Sequence, residues 1–149
     1  MSDMNLNLGE FLPYRLAVAS TIISEKIGEE YRRKFSLRIP EWRIVAILGQ
    51  GKPMTQRDLV TTTQLDKVTI NRAAKILVDR GYVVRMAHEA DGRSHHLDLT
   101  DAGRDLYQKL IPVALAKEAE VTSRLSSKDR QTLLEILEKL TGPTQRIAA

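Results

Sequence analysis

The sequence predicts a mainly helical α+β chain with one small β-hairpin, on three observations. Residues 55–99 read as helix, turn, helix and then two short strands joined by a glycine-containing tip. Apolar residues at three- and four-residue spacing run through both flanks, over 11–35 and 101–141. Apolar alternation with period two is confined to the hairpin.

Taken in order, the first helix spans 11–35, with Pro13 in its first turn, where a missing N–H costs little. Leu12, Leu16, Ala19, Ile23 and Ile27 form its stripe, continued by Tyr31 and Phe35. A second helix begins at Ile39-Pro40-Glu41 and carries Trp42, Ile44, Val45, Ile47 and Leu48. Gly49 and Gly51 are expected to stop it, and Lys52-Pro53-Met54 leads onward. Thr55 then opens a third helix as its N-cap, with Asp58 three residues on bonding back. Asp66 repeats the device for a fourth.

That fourth helix is two-faced. Ile70, Ala73, Ala74 and Leu77 are expected to pack inward, while Lys67, Asn71, Arg72 and Lys75 face outward with no acid before Asp79. Gly81 follows as its C-terminal stop. Residues 82–88 and 95–99 read as strands, with Ala90-Asp91-Gly92-Arg93 as the tip. Thr100 caps a long fifth helix bearing Leu106, Leu110, Val113 and Val121, which Pro112 should kink or loosen. Ser126 with Asp129 starts the last helix, where Leu133, Leu134, Ile136, Leu137 and Leu140 are apolar. Thr141-Gly142-Pro143 ends it.

A cationic helix beside an Arg-tipped hairpin is the layout of a winged helix-turn-helix, in which one helix enters the major groove and the wing reaches a minor groove. The fold class is therefore mainly α with a small β-hairpin wing, a winged core flanked by long N- and C-terminal helices. We take 1–149 as a single domain, with 39–99 as the DNA-binding core and 11–35 and 101–141 as mainly dimerisation helices. Apolar stripes at both ends point to a homodimer with two heads about a two-fold axis. The plainer alternative is that the terminal helices fold back on their own chain.

Composition agrees with a DNA partner without requiring one: net charge is +4 and pI about 9.5. Cysteine is absent, which excludes disulfides and thiolate chemistry. No apolar run approaches membrane length, and MSDMNLNLGE lacks a signal-peptide layout, so a cytoplasmic protein with no membrane partner is expected. Nothing resembles a nucleophile–base pair, a P-loop or a dinucleotide fingerprint, so no enzyme, catalytic residue or cofactor is expected. His88, His95 and His96 all fall in the hairpin. Neighbouring His95 and His96 point to opposite faces of a strand, which disfavours a shared metal; phosphate contact or plain exposure remain.

Several segments together resemble the MarR family, the multiple-antibiotic-resistance type of transcriptional regulator. They are Met54-Thr55-Gln56, the run Leu65-Asp66-Lys67-Val68-Thr69-Ile70-Asn71-Arg72, Asp79-Arg80-Gly81-Tyr82-Val83, Asp91-Gly92-Arg93-Ser94 and Leu99-Thr100-Asp101-Ala102-Gly103. The resemblance implies a homodimer on a double-stranded, pseudo-palindromic DNA operator, usually a repressor released by a small-molecule effector. It assigns Arg93 to a narrow minor groove, with Asp91 bracing it and Ser94 adjoining. Recognition positions fall on Lys67, Val68, Thr69, Asn71, Arg72 and Lys75, with Gln56 and Arg57 holding the DNA backbone.

The runs at residues 11–16 and 39–43 resemble a subset of the family, and some regulators of similar type respond to aromatic acids or their coenzyme A thioesters, which implies such an effector here. A cleft between the first, second and fifth helices would then hold the effector, with Tyr14, Arg15, Ile23, Trp42, Arg43 and Leu106 around it. Tyr14 and Trp42 could instead be core packing, and the two arginines could pair with Glu or face solvent. A constitutive DNA-binding or architectural protein without a ligand switch is the alternative function.

Overall fold

The structure is a computed structural model that describes residues 4–88 and 91–143, with side chains described for the same residues apart from 88 and 91–94. The described residues form six helices and three strands, in the order α1 (Leu12–Phe35), α2 (Ile39–Gln50), β1 (Met54–Thr55), α3 (Gln56–Thr63), α4 (Lys67–Asp79), β2 (Val83–His88), β3 (Asp91–Leu99), α5 (Asp101–Val121) and α6 (Ser127–Thr141). The sheet is antiparallel, ordered β1-β3-β2.

Local chemistry sets most of the boundaries. At α3 and α6 the capping is reciprocal: Thr55 with Asp58, and Ser126 with Asp129, satisfy each other's free N–H groups. Thr100 Oγ1 accepts from the Gly103 N–H and donates to the Gly81 carbonyl, which ties the start of α5 to the hairpin base. Gly81 has φ +80, the left-handed value expected of a residue just past a helix end.

One core holds the head together: Leu37, Ile44, Leu48, Leu59, Ile70, Leu77 and Leu97 are fully enclosed. The α1 stripe divides. Steps of four residues advance about 40° beyond a full turn, so the line drifts around the helix. Leu12, Leu16 and Ile23 are exposed, Ile27 is packed against the core, and Tyr31 is only 2% exposed. Nothing on α6 is buried; Leu133, Leu134, Ile136, Leu137 and Leu140 all face out.

Two expectations need correction. Gly49 does not stop α2, which runs on to Gln50. A Cβ at Gly49 would sit 2.4 Å from the Tyr107 ring, so this glycine lets α5 approach α2. The third strand begins at Asp91 rather than His95, with His88 opposite Asp91 and the register broken between Ala87 and His88. Ladder bonds come from the backbone, so the strand outruns the side-chain alternation that marks it in sequence. α5 carries Pro112 inside one continuous helix. The two-residue strand β1 was not foreseen either, since two residues cannot show a period.

Candidate nucleic-acid interface

α3 and α4 form the helix-turn-helix pair. α3 ends at Gln64, a left-handed residue (φ 59) whose N–H bonds to the Val60 carbonyl at 2.8 Å. Asp66 then caps α4 twice, accepting from the Thr69 N–H at 2.8 Å and the Thr69 hydroxyl at 2.7 Å. These bonds, led by the backbone N–H, hold the Asp66 carboxyl below its ordinary value. The Thr69 hydroxyl proton is thus engaged in the free protein, leaving its oxygen as an acceptor.

The buried side of α4 is the foreseen one: Ile70, Ala73, Ala74 and Leu77. That fixes the outward side, where Lys67, Val68, Arg72 and Lys75 are exposed. Val68 is 59% exposed, an apolar side chain standing among cations, which suits contact with a thymine methyl. Lys75 reaches Asp79 at 3.0 Å, but both side chains are well exposed. Such a pair is worth only about 0.3–0.5 kcal/mol, so it costs little for Lys75 to turn to a phosphate.

Asn71 departs from expectation. It is half-buried, and its Oδ1 is closed off from solvent without a hydrogen-bond partner. One turn after Lys67, it sits on the flank of α4 rather than at the crest, because Val68, Arg72 and Lys75 lie more directly opposite the core. Gln56 is half-buried and Arg57 exposed at the start of α3.

On the wing, His95 and His96 stand opposite Ala87 and Met86 on alternate faces. The side chains of Asp91, Arg93 and Ser94, and residue Ala90 of the expected tip, lie outside the described residues. Among the described residues, no three His, Asp or Glu side chains gather into a metal-holding group, and no helix is long and apolar enough to cross a membrane.

The expected effector residues do not share one environment. Leu106 is only 6% exposed and belongs to the core, and it borders an open cleft at the end of α1 and the start of α5, away from Trp42. Tyr14 and Ile23 lie on exposed turns of α1. Arg15 donates to the Gly9 carbonyl at 2.9 Å, and the Arg43 guanidinium lies 5.9 Å from the Trp42 ring centroid. Trp42 stacks on Tyr31 with centroids 4.8 Å apart, and its Nε1–H is shut off from solvent without an acceptor. Burial pushes the Tyr31 phenol up, so it stays protonated. A separate open cleft of about 780 Å³ runs between α1 and the start of α2, with Lys26, Arg32 and Arg38 as its cations and Glu25 and Glu29 as its acids.

Sequence reasoning missed two close contacts that shape the head. A Cβ at Gly103 would fall 2.1 Å from the Tyr82 carbonyl oxygen, so α5 begins almost on the hairpin backbone. At the end of α4, Arg80 reaches the last carbonyls of α1. The only advance signal for either was residue type: a glycine in a helix, and an arginine beside one.

Comparison with known proteins gives one consistent answer. The model described as the MarR family matches residues 35–94. The HTH-type transcriptional repressor Rv2887 of Mycobacterium tuberculosis is 30% identical over 104 residues, 70% of this chain and 75% of that protein. The fold is similar to BpsR of Bordetella bronchiseptica, solved in a study of how 6-hydroxynicotinic acid regulates its DNA binding, with TM-score 0.84, 18% identity and coverage of 94% and 99%. It is also similar to a mutant MarR from E. coli complexed with operator DNA, with TM-score 0.78, 18% identity and coverage of 87% and 93%.

Proposed function

Since the chain belongs to the MarR family of transcriptional regulators, which are not enzymes, we propose that it works as a homodimeric repressor released from its operator by a small aromatic acid. One observation carries the DNA-reading part: the buried side of α4 turns Val68, Arg72 and Lys75 outward together. In this reading the chain is one domain in which 39–99 reads DNA while 11–35 and 101–141 pair the subunits. Gln56, Arg57, Lys67 and Lys75 meet phosphates, Arg72 and Val68 meet base edges, and Arg93 enters the minor groove beside Asp91 and Ser94.

Support for pairing comes from the two exposed apolar faces, Leu12, Leu16 and Ile23 on α1 and Leu133 to Leu140 on α6. Support for an effector comes from Trp42, whose enclosed N–H has no acceptor at the meeting of α1 and α2. The neighbouring cleft offers Lys26, Arg32 and Arg38 to a carboxylate. A lowering of operator affinity by a hundredfold requires the effector to prefer the free protein by about 2.7 kcal/mol.

The test is direct. Operators are selected from random duplexes, and salt titrations measure phosphate contacts. Benzoate, hydroxynicotinate and a benzoyl thioester of coenzyme A are then titrated into the complex. Sequence-selective binding that one of these weakens supports the proposal. Selective binding that none of them changes, although they bind the free protein, favours a constitutive DNA-binding protein.

A further inference from the structure

Arg80 closes α4, yet its side chain serves a different helix. Its terminal nitrogens donate to the carbonyls of Ser36 at 2.9 Å and Phe35 at 3.1 Å, spanning 44 and 45 residues of chain. Both carbonyls lie at the end of α1, where Ser36 turns into the left-handed region with φ 53. Carbonyls there lack helical partners, and the helix dipole favours a cation. The same guanidinium lies 5.1 Å from the Tyr82 ring centroid, at the base of the hairpin. Arg80 therefore touches the end of α1, the end of α4 and the root of the wing at once.

α1 packs mainly against α2 and α5. An open cleft of about 420 Å³, bordered by Lys34, Ser36, Tyr82, Asp105 and Lys109, lies where the end of α1 faces the wing base and the start of α5. A rigid planar fork holds two carbonyls at a fixed mutual geometry, which an ammonium on a flexible stem, with its rotatable donors, does less strictly.

We propose that Arg80 is a positioning residue that sets the angle between α1 and the reading head, and thereby the half-site spacing the protein accepts. The proposal rests on the paired-head reading above. Spacing follows from that angle, because α1 belongs to the pairing helices whereas α4 and the wing carry the DNA contacts.

The experiment uses duplexes selected by the wild-type protein from random DNA, remade with one or two base pairs added or removed between half-sites. Each added pair turns one half-site by about 35° and moves it by about 3.4 Å. Competition binding compares wild type, Arg80→Lys and Arg80→Met, while sedimentation reports pairing and circular dichroism reports folding. Wild type is expected to lose roughly tenfold per step and Arg80→Met roughly twofold or less, within the usual range of coupling between sites. Arg80→Lys should fall between, and all three should bind an isolated half-site equally. If Arg80→Met loses helix, Arg80→Lys alone must still show the weakened discrimination. Spacing discrimination as sharp in the variants as in wild type refutes the proposal. So does a matching loss of half-site affinity, which would make Arg80 an ordinary DNA or folding contact. A wild-type protein that is monomeric or indifferent to spacing overturns the paired-head reading, and this proposal with it.

Discussion

Replacing Leu137 with Asp puts a carboxylate on the outward face of α6, beside Leu133, Ile136 and Leu140. Each of these side chains is about half exposed in the single chain, as are Leu12, Leu16 and Ile23 of α1. Full burial of such a side chain contributes about 1.5–3 kcal/mol, so covering the exposed half contributes about 1 kcal/mol. Over the two faces of both subunits, that is on the order of 14 kcal/mol before the cost of association, itself about 4–15 kcal/mol. The margin is narrow, and two-fold symmetry counts every substitution twice. Leu137→Asp removes about 2 kcal/mol of burial per dimer and adds two carboxylates whose desolvation costs at least about as much again. The dimer dissociation constant should rise by roughly a thousandfold or more. Sedimentation equilibrium across nanomolar to micromolar protein measures this, with operator binding followed in parallel. Leu137→Asp that pairs as tightly as wild type and binds the operator equally well would refute the assignment of α6 to the interface.

The reading surfaces should fail differently. Arg93→Ala is expected to weaken operator binding by about 1–3 kcal/mol per head and relax A·T preference beside the major-groove site. Lys75→Ala should weaken all sequences alike and reduce the salt slope by about one per head, as salt titrations on matched and scrambled duplexes can measure. Gly103→Ala would drive a Cβ into the Tyr82 carbonyl, costing about 1–3 kcal/mol or more; thermal unfolding should fall by several degrees, and an unchanged midpoint would contradict the contact. Asp66 has a lowered pKa, so its capping stabilises the fold above the ordinary value of 3.8 and is lost as pH falls through the lower folded value. Asp66→Asn keeps an acceptor but cannot titrate. Urea titrations at neutral and acid pH should show that variant losing less stability on acidification than wild type does.

What the sequence made legible was chemistry that acts within a few residues. The caps at Thr55, Asp66, Thr100 and Ser126 each need only their own helix start, and all four form. The inward face of α4 follows from its periodicity for the same reason. Contacts set by the approach of distant elements stayed hidden. Gly49 reads as a helix stop when judged locally, and its role appears only once Tyr107 lies against it. Leu106 reads as an outlying apolar position on its own helix, and only the packed fold shows it both in the core and at the edge of a cleft beside the end of α1. Asn71 lies on the flank of α4 by periodicity alone, but that its Oδ1 is closed off without a partner is visible only in the assembled head.

The division of the α1 stripe makes that helix a ruler. Its exposed turns, Leu12 to Ile23, and its buried turn at Tyr31 are joined by continuous helix. Each residue inserted between them adds about 1.5 Å and 100°. One inserted residue would swing the exposed turns far from their present direction relative to the head. Four would nearly restore the phase, with the head carried about 6 Å along the axis and turned about 40°. Descendants of this chain can therefore change length between Ile23 and Tyr31 most readily in steps of about one helical turn, each step re-aiming the head as a unit without altering a residue of α3, α4 or the hairpin.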